Sequence, residues 1–171
     1  TDPSLHLTNK AASYQTYAEK HAAFAARCNP DPRLWQNKSA PCFMLGTQNA
    51  VPYKKMKSLE FVLCTADTQK LMHTAAGKPN ELLITALVRA VKKLYGINPI
   101  CIDIEGHGRD VLPAADVSRT MGWFTNLYPI CLHLDTDDLL TQIQEVQAQL
   151  KRYEGKEAEY GILRYIKNIL S

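Results

Sequence analysis

Apolar side chains recur along this chain at two spacings, three to four residues in some stretches and two in others, and stretches of the two kinds alternate. That alternation predicts an α/β fold. Tyr14, Tyr17, Ala18, His21, Phe24, Ala25 and Cys28 share one helical face behind a capping Ser13, and Asn29-Pro30-Asp31-Pro32 stops the helix before a short segment around Leu34 and Trp35. His21 on that face reads as a satisfied core histidine. Residues 38–55 hold prolines, Gly46 and many polar side chains, and read as an irregular surface crossing. Leu59, Phe61 and Leu63 then alternate with Glu60, Val62 and Cys64, the period of a strand. Thr65, Asp67 and Thr68 suit the start of a short helix with Leu71, Met72 and Ala75 on its buried side, ending before Gly77.

Asn80 can cap the next helix, in which Leu83, Leu87, Val91 and Leu94 form a stripe that Ile84, Val88 and Tyr95 widen, with Gly96 as a left-handed end. After a turn at Asn98-Pro99 comes a strand in which Ile100, Ile102 and Ile104 point one way and Cys101, Asp103 and Glu105 the other. Tyr128, Ile130, Leu132 and Leu134 alternate with Leu127, Pro129, Cys131 and His133 in a third strand. A helix follows: Asp135 or Thr136 caps it, Asp137 and Asp138 suit its positive end, and Leu139, Ile143, Val146, Leu150 and Tyr153 form its buried stripe up to a stop at Gly155. Gln142, Gln144, Gln147 and Gln149 read as its solvated side. A last helical pattern runs through Tyr160, Leu163, Ile166, Lys167 and Leu170.

At 171 residues, 46% hydrophobic and 22% charged, the chain fits one globular domain with a real core. Its net charge of +3 is scattered, with no basic stripe, so nucleic acid is not an expected partner. No apolar run reaches membrane-spanning length and no signal-peptide pattern opens the chain, which points to a cytoplasmic protein with no membrane partner. The five cysteines Cys28, Cys42, Cys64, Cys101 and Cys131 contain no zinc-type pair. They read as reduced structural thiols, three of them inside apolar strand patterns, and no metal site is expected.

Chemistry gathers in two clusters. The strand that starts at Ile100 delivers Glu105, His107, Arg109 and Asp110 into a loop with glycines at 106 and 108. A carboxylate at the end of a buried strand is partly desolvated, which would fit Glu105 for proton transfer, while pairing with Arg109 or Arg119 would make it purely structural. His107, flanked by glycines, has little packing to fix its rotamer and suits shaping the loop or binding a carbonyl. Gly106 and Gly108 make no dinucleotide fingerprint, because residues 111–115 do not open a helix on them. In the second cluster, residues 116–125, Trp123 and Phe124 suit a core by residue type. Ser118, Arg119 and Thr125 add polar groups to that apolar wall, the make-up of a small-molecule pocket.

Together the clusters carry a resemblance. Ile104-Glu105-Gly106-His107-Gly108-Arg109-Asp110, then Asp116-Val117-Ser118-Arg119-Thr120-Met121-Gly122-Trp123-Phe124-Thr125 and Tyr128-Pro129, closely resemble the EGHGRE, DLSRTVGWFT and YP patterns of epimerization domains of nonribosomal peptide synthetases. Asp110 for the final Glu and Met121 for Val are mild departures. Asn80-Glu81-Leu82-Leu83, Ser13-Tyr14 and Tyr160-Gly161-Ile162-Leu163-Arg164-Tyr165 extend the likeness over nearly the whole chain.

The resemblance implies a chloramphenicol acetyltransferase-like (CoA-dependent acyltransferase-like) α/β subdomain, a mixed sheet flanked by helices. It implies inversion of the α-carbon of an aminoacyl or peptidyl thioester by proton removal and return. The substrate would ride on the 4'-phosphopantetheine of a peptidyl carrier protein, with no tightly bound cofactor. Glu105 would be the catalytic acid/base, and His107, Arg109, Ser118, Arg119, Trp123, Thr125, Asn126 and Tyr128 would line the substrate channel. The family's second catalytic group lies in an HHxxxDG motif, and no His-His pair occurs in this sequence. Residues 1–171 are therefore expected to be most of a C-terminal subdomain, with 1–12 as a linker or cut end and the N-terminal subdomain as a missing partner. A condensation-type domain forming an amide or ester, and a non-catalytic subdomain that docks carrier proteins, are the competing readings.

Overall fold

The computed structural model describes residues 11–36, 57–74, 76–112 and 115–170. The expected linker up to residue 10, the irregular crossing at 38–55, Cys42 and Ala75 lie outside the described residues. The chain divides into two compact units. Of the described residues, 11–36, 103–112, 115–129 and 154–170 fall in the first, and 57–74, 76–102 and 130–153 in the second.

The first unit opens with helix α1 (Tyr14–Arg27). Ser13 caps it as expected, its Oγ accepting from the Thr16 N–H at 3.0 Å. The buried face of α1 brings Tyr17 to a cluster with Leu112, Ala115, Val117 and Phe124. The Ala12 N–H donates to the Asp116 carbonyl at 2.9 Å, so the start of the helix is also stitched to the second cluster by backbone. A 3-10 turn at Pro32–Leu34 leads to a buried Trp35, whose ring meets Tyr128 edge-on and Tyr160 at a tilt. Helix α5 (Glu159–Gly161) passes into a π-helix over Ile162–Ile166 that buries Ile162 and Leu163.

The second unit holds α2 (Thr65–His73), α3 (Pro79–Tyr95) and α4 (Leu139–Leu150), with α3 packed on both of its companions. Gly96 ends α3 at φ +69°, the left-handed stop the sequence predicts. The cap at the other end is not Asn80, which lies inside the helix. Pro79 begins it, and the Glu81 carboxylate reaches back to the Lys78 N–H at 2.9 Å. The buried side of α3 is Thr85, Val88 and Val91, while Leu83, Leu87, Leu94 and Tyr95 of the expected stripe are exposed. Val88 and Val91 of the expected face are covered and the rest of it is not, because apolar residues occupy two adjoining stripes and only one is packed. Leu71 of α2 is half-buried and Met72 exposed.

Strands β1 (Ile100–Gly106) and β2 (Asn126–Leu132) pair into a two-stranded sheet. Cys101 faces Cys131 and Gly106 faces Asn126, so facing residue numbers share a constant sum, the mark of an antiparallel ladder. The α/β expectation stands, but among the described residues the sheet is antiparallel rather than mixed. The segment 59–64, expected as a strand, is irregular and exposed. Alternation alone forms no strand without a partner to accept its backbone hydrogen bonds.

Helix α4 starts later than expected. Asp138 caps it, accepting from the Thr141 N–H at 2.9 Å and hydroxyl at 2.7 Å. Ile143, Val146 and Tyr153 are buried as predicted, but so are Gln142 and Gln149, and Leu139 is exposed. The glutamines are inside because their amides meet backbone groups. Gln149 accepts from the His133 N–H at 3.0 Å and donates to the His133 carbonyl at 2.9 Å, and Gln142 donates to the Thr136 carbonyl at 2.6 Å. Asn98 pairs in the same two-ended way with the N–H and carbonyl of Leu134.

Candidate active site

Strand alternation sets the first feature of the site. On β1, Ile100 is buried, while Asp103 and Glu105 share the opposite, open side. Glu105 is exposed, so the desolvation expected at the end of a buried strand is not what the structure provides. Neither is the structural ion pair: among the described residues no salt bridge to Glu105 is present. The carboxylate stands at the end of β1 facing solvent, with both oxygens available.

The loop after it is tightly held. Gly108 sits at φ +66°, and a Cβ there would run into the Phe124 carbonyl oxygen. Only glycine fits both demands. The Tyr17 hydroxyl donates to the Gly108 carbonyl at 3.3 Å, and the Tyr17 ring meets Phe124 edge-on at 4.8 Å. Burial pushes the Tyr17 phenol above its ordinary range, with Tyr14 and Asp110 adding to the effect. His107 accepts the Arg109 N–H on Nδ1 at 3.1 Å. In the neutral ring the proton therefore belongs on Nε2. When protonated, His107 has Asp110 3.8 Å away. The loop's own backbone thus supplies the orientation that flanking side chains do not.

Arg109 does not reach toward Glu105. Its Nη1 donates to the Val117 carbonyl and, at 3.0 Å, to the Thr120 carbonyl, and its guanidinium lies 4.3 Å from the Phe124 ring centre. These contacts clamp the two clusters together.

In the second cluster, Ser118 donates from its hydroxyl at 2.7 Å and from its N–H at 3.1 Å to Asp116. Those bonds hold the Asp116 carboxyl below the usual carboxylate range, with Arg119 adding a smaller effect. Phe124 is core, as its type suggests, but Trp123 is 75% exposed and touches the scaffold through its carbonyl, which accepts from the Tyr14 hydroxyl at 2.9 Å. Tyr14 reaches Phe124 as well, at 5.2 Å. Thr125, Asn126 and Tyr128 are half-buried. The Asn126 side chain abuts Gly106, its Oδ1 buried and without a hydrogen-bond partner among the described residues. Burial raises the Tyr128 phenol, with Glu157 contributing.

The structure thus brings Arg109 into contact with the second cluster and sets Asn126 beside the first loop. It leaves Glu105, Ser118, Arg119 and Trp123 on the exposed surface. Sequence reasoning missed the role of Tyr14 and Tyr17 as supports for the loop. Their spacing on α1 was visible, but their hydroxyls meet backbone 109 and 91 residues away. Among the described residues no group of three or more His, Cys, Asp or Glu is placed to hold a metal ion, and no helix is long and apolar enough to cross a membrane.

The cysteines depart from expectation. Cys101 and Cys131 form a cross-strand disulfide with Cα atoms 4.1 Å apart, where reduced thiols were expected, because the register sets them face to face. Cys28 and Cys64 are free thiols, and Cys64 is exposed rather than a buried strand residue.

Comparison with known proteins converges on one family. Bacitracin synthase 2 of Bacillus licheniformis is 33% identical over 175 residues, covering 95% of this chain and 7% of that protein. Surfactin synthase subunit 2 of Bacillus subtilis (strain 168) is 33% identical over 175 residues, covering 96% of this chain and 5% of the relative. The crystal structure of the epimerization domain from the third module of tyrocidine synthetase B superposes with a TM-score of 0.77 at 30% identity, covering 96% of this chain and 39% of that one. The Condensation domain family model matches residues 3–169, the stretch containing both clusters, α1 and α5, and by that match the chain belongs to the condensation-domain family.

Proposed function

We propose that this chain is part of an epimerization domain of a nonribosomal peptide synthetase, one that inverts the α-carbon of an aminoacyl or peptidyl thioester. The observation that carries the reading is the likeness to the tyrocidine synthetase epimerization domain along 96% of the chain. The segments around Glu105 and Trp123, which resemble the motifs of such domains, agree with it. In this reading the substrate hangs from the phosphopantetheine arm of a carrier protein, and the domain is completed by the subdomain bearing the HHxxxDG motif.

An α-hydrogen beside a thioester carbonyl is acidic enough for a positioned base to remove. Glu105 takes that proton on a carboxylate oxygen, the electron pair passes into the thioester carbonyl as an enolate, and a proton returns to the opposite face of the carbon. The second group, on the other side of the substrate, belongs to the completing subdomain. The Arg109 clamp and the Tyr17 hydroxyl hold the loop that follows Glu105, which fixes the end of the strand that presents the carboxylate. Residues 118, 119, 123, 125, 126 and 128 line the path of the arm in this proposal.

Glu105→Gln in the intact synthetase tests the assignment. Because Glu105 is exposed, the substitution leaves the fold intact, and its effect reports on chemistry. Exchange of the substrate α-hydrogen with solvent deuterium is expected to fall by about 10²–10⁴, the usual contribution of a positioned acid/base. Undiminished exchange would sink the role of Glu105.

The family match itself favours a second reading, a condensation-type domain that forms an amide or ester. Donor and acceptor thioesters offered to the intact synthetase separate the two. A new amide bond supports condensation, and an inverted donor stereocentre supports epimerization.

A further inference from the structure

We propose that Cys101 and Cys131 form a reversible redox lock on the strand pair, opened and closed by thiol–disulfide exchange with small thiols of the glutathione class. Three observations carry it. The register sets the two residues directly opposite each other, 30 positions apart in sequence, so the bond crosses the ladder rather than closing a local turn. Both cysteines are half-buried, so neither residue is sealed in the core. Finally, the strand pair is not equally held along its length. Residues 130–132 of β2 are anchored by the buried Ile130 and Leu132, by the Cys131 N–H donating to the Tyr153 hydroxyl at 3.4 Å, and by the Gln149 bridge to His133 just beyond it. On β1, burial fades after Ile100, and Asp103 and Glu105 face solvent.

A covalent bond beside the packed Ile100 and Leu132 fixes register toward the other end of the strand pair, where apolar packing does so weakly. Register matters here because a slip of one residue would send Cys101, Asp103 and Glu105 to the other face. The bond sits on the same strand as Glu105, four residues earlier. Its effect on proton transfer rests on the function proposed above, whereas the lock itself does not.

The exchange balances with a named reductant. A glutathione thiolate attacks one sulfur of the pair, the Cys101–Cys131 bond breaks, and the departing cysteine thiolate takes a proton from solvent. A second glutathione thiolate attacks the mixed disulfide, releasing glutathione disulfide and the second cysteine thiolate, which is protonated in turn. The two electrons that reduce the pair come from the two glutathione thiols, and the reverse sequence recloses the bond.

The test equilibrates the intact protein in buffers of increasing ratio of glutathione disulfide to glutathione, quenches with acid, alkylates, and quantifies the peptides containing Cys101 and Cys131 by mass spectrometry. The expected result is full interconversion of dithiol and disulfide under native conditions. In Cys131→Ser, Cys101 should be trapped instead as a mixed disulfide with glutathione. Amide hydrogen exchange over residues 102–106 should be slower in the oxidised protein by about tenfold or more, given the usual stabilisation from a disulfide. A pair that stays in one state at every ratio, or exchange over 102–106 that is identical in the two states, overturns the lock. The α-hydrogen exchange assay, run on both states, is read separately: its failure in both would count against the proposed function and leave the redox result standing.

Discussion

The two units hold their functional backbone by different means. In the first, the loop after Glu105 rests on rings: Tyr14, Tyr17 and Phe124 pack edge to face, and Arg109 lies over Phe124. In the second, the connection from β2 to α4 rests on side-chain amides. Asn98 and Gln149 each satisfy both backbone groups of one residue, and Arg89 and Lys92 bind carbonyls of the same connection, those of Asp137 and Leu134. Ring packing stabilises in proportion to area removed from water, and its loss leaves a cavity. Amide bridges add little net free energy when made but cost more when one side is removed, because the backbone groups they served are then unmet. The first unit should therefore fail by truncation, and the second by replacements that keep the shape and lose the polarity.

Phe124→Ala probes the difference most strongly. The ring is buried and touches Tyr14, Tyr17 and Arg109. Its loss should cost about 3–5 kcal/mol, read as lost amide protection over residues 106–110 and 116–125 in the intact protein. Protection over residues 139–150 should hardly change.

Gln149→Leu is the counterpart. Volume is nearly kept, yet the His133 N–H and carbonyl lose their partner, and about 1–3 kcal/mol should be lost around residues 130–150. A neutral result would mean that packing, not polarity, holds the second unit too.

Tyr17→Phe is smaller and sharper. It keeps the ring against Phe124 and removes only the bond to the Gly108 carbonyl, for an expected loss of about 0.5–1.5 kcal/mol confined to the loop. Loss of protection throughout the first unit would show that the hydroxyl does more than steady residue 108.

The smallest effect is one of pH. Burial holds the His21 imidazole below its ordinary value of 6.5, and its ring stacks on Tyr17. Between that folded value and 6.5 the unfolded chain binds more protons, so stability is complete above 6.5 and declines as pH falls from there through the folded value. Protection over α1 should weaken slightly on acidification from pH 7.5 to 5.5, and His21→Phe, which keeps an aromatic ring, should abolish that slope.

What could be read from the sequence, and what could not, divides along the same physical line. The alternation in β1 and β2 and the stops at Ser13 and Gly96 were legible because they depend on neighbours in the chain. So were the motif segments around Glu105 and Phe124. The burial of Gln142 and Gln149 was not, since composition places glutamine outside and only the course of the backbone reveals an unmet N–H or carbonyl. The stripe Leu83, Leu87 and Leu94 was misassigned because periodicity finds apolar faces without saying which is covered. The clamp from Arg109 to Val117 and Thr120 and the opposition of Cys101 and Cys131 depend on register, which no spacing encodes. The exposure of Glu105 likewise follows from which side of β1 is packed, and alternation alone leaves that choice open.

The close approach of Gly106 and Asn126 has an evolutionary meaning. A Cβ at 106 would strike the Asn126 Oδ1, while the Tyr128 ring, 3.7 Å away, would be in ordinary contact. The two positions are coupled: alanine at 106 asks the Asn126 side chain to shift or a smaller residue to stand at 126. Any lineage that changes one should be found to have changed the other, and a swap of residue 126 alone between relatives is the graft most at risk of failing.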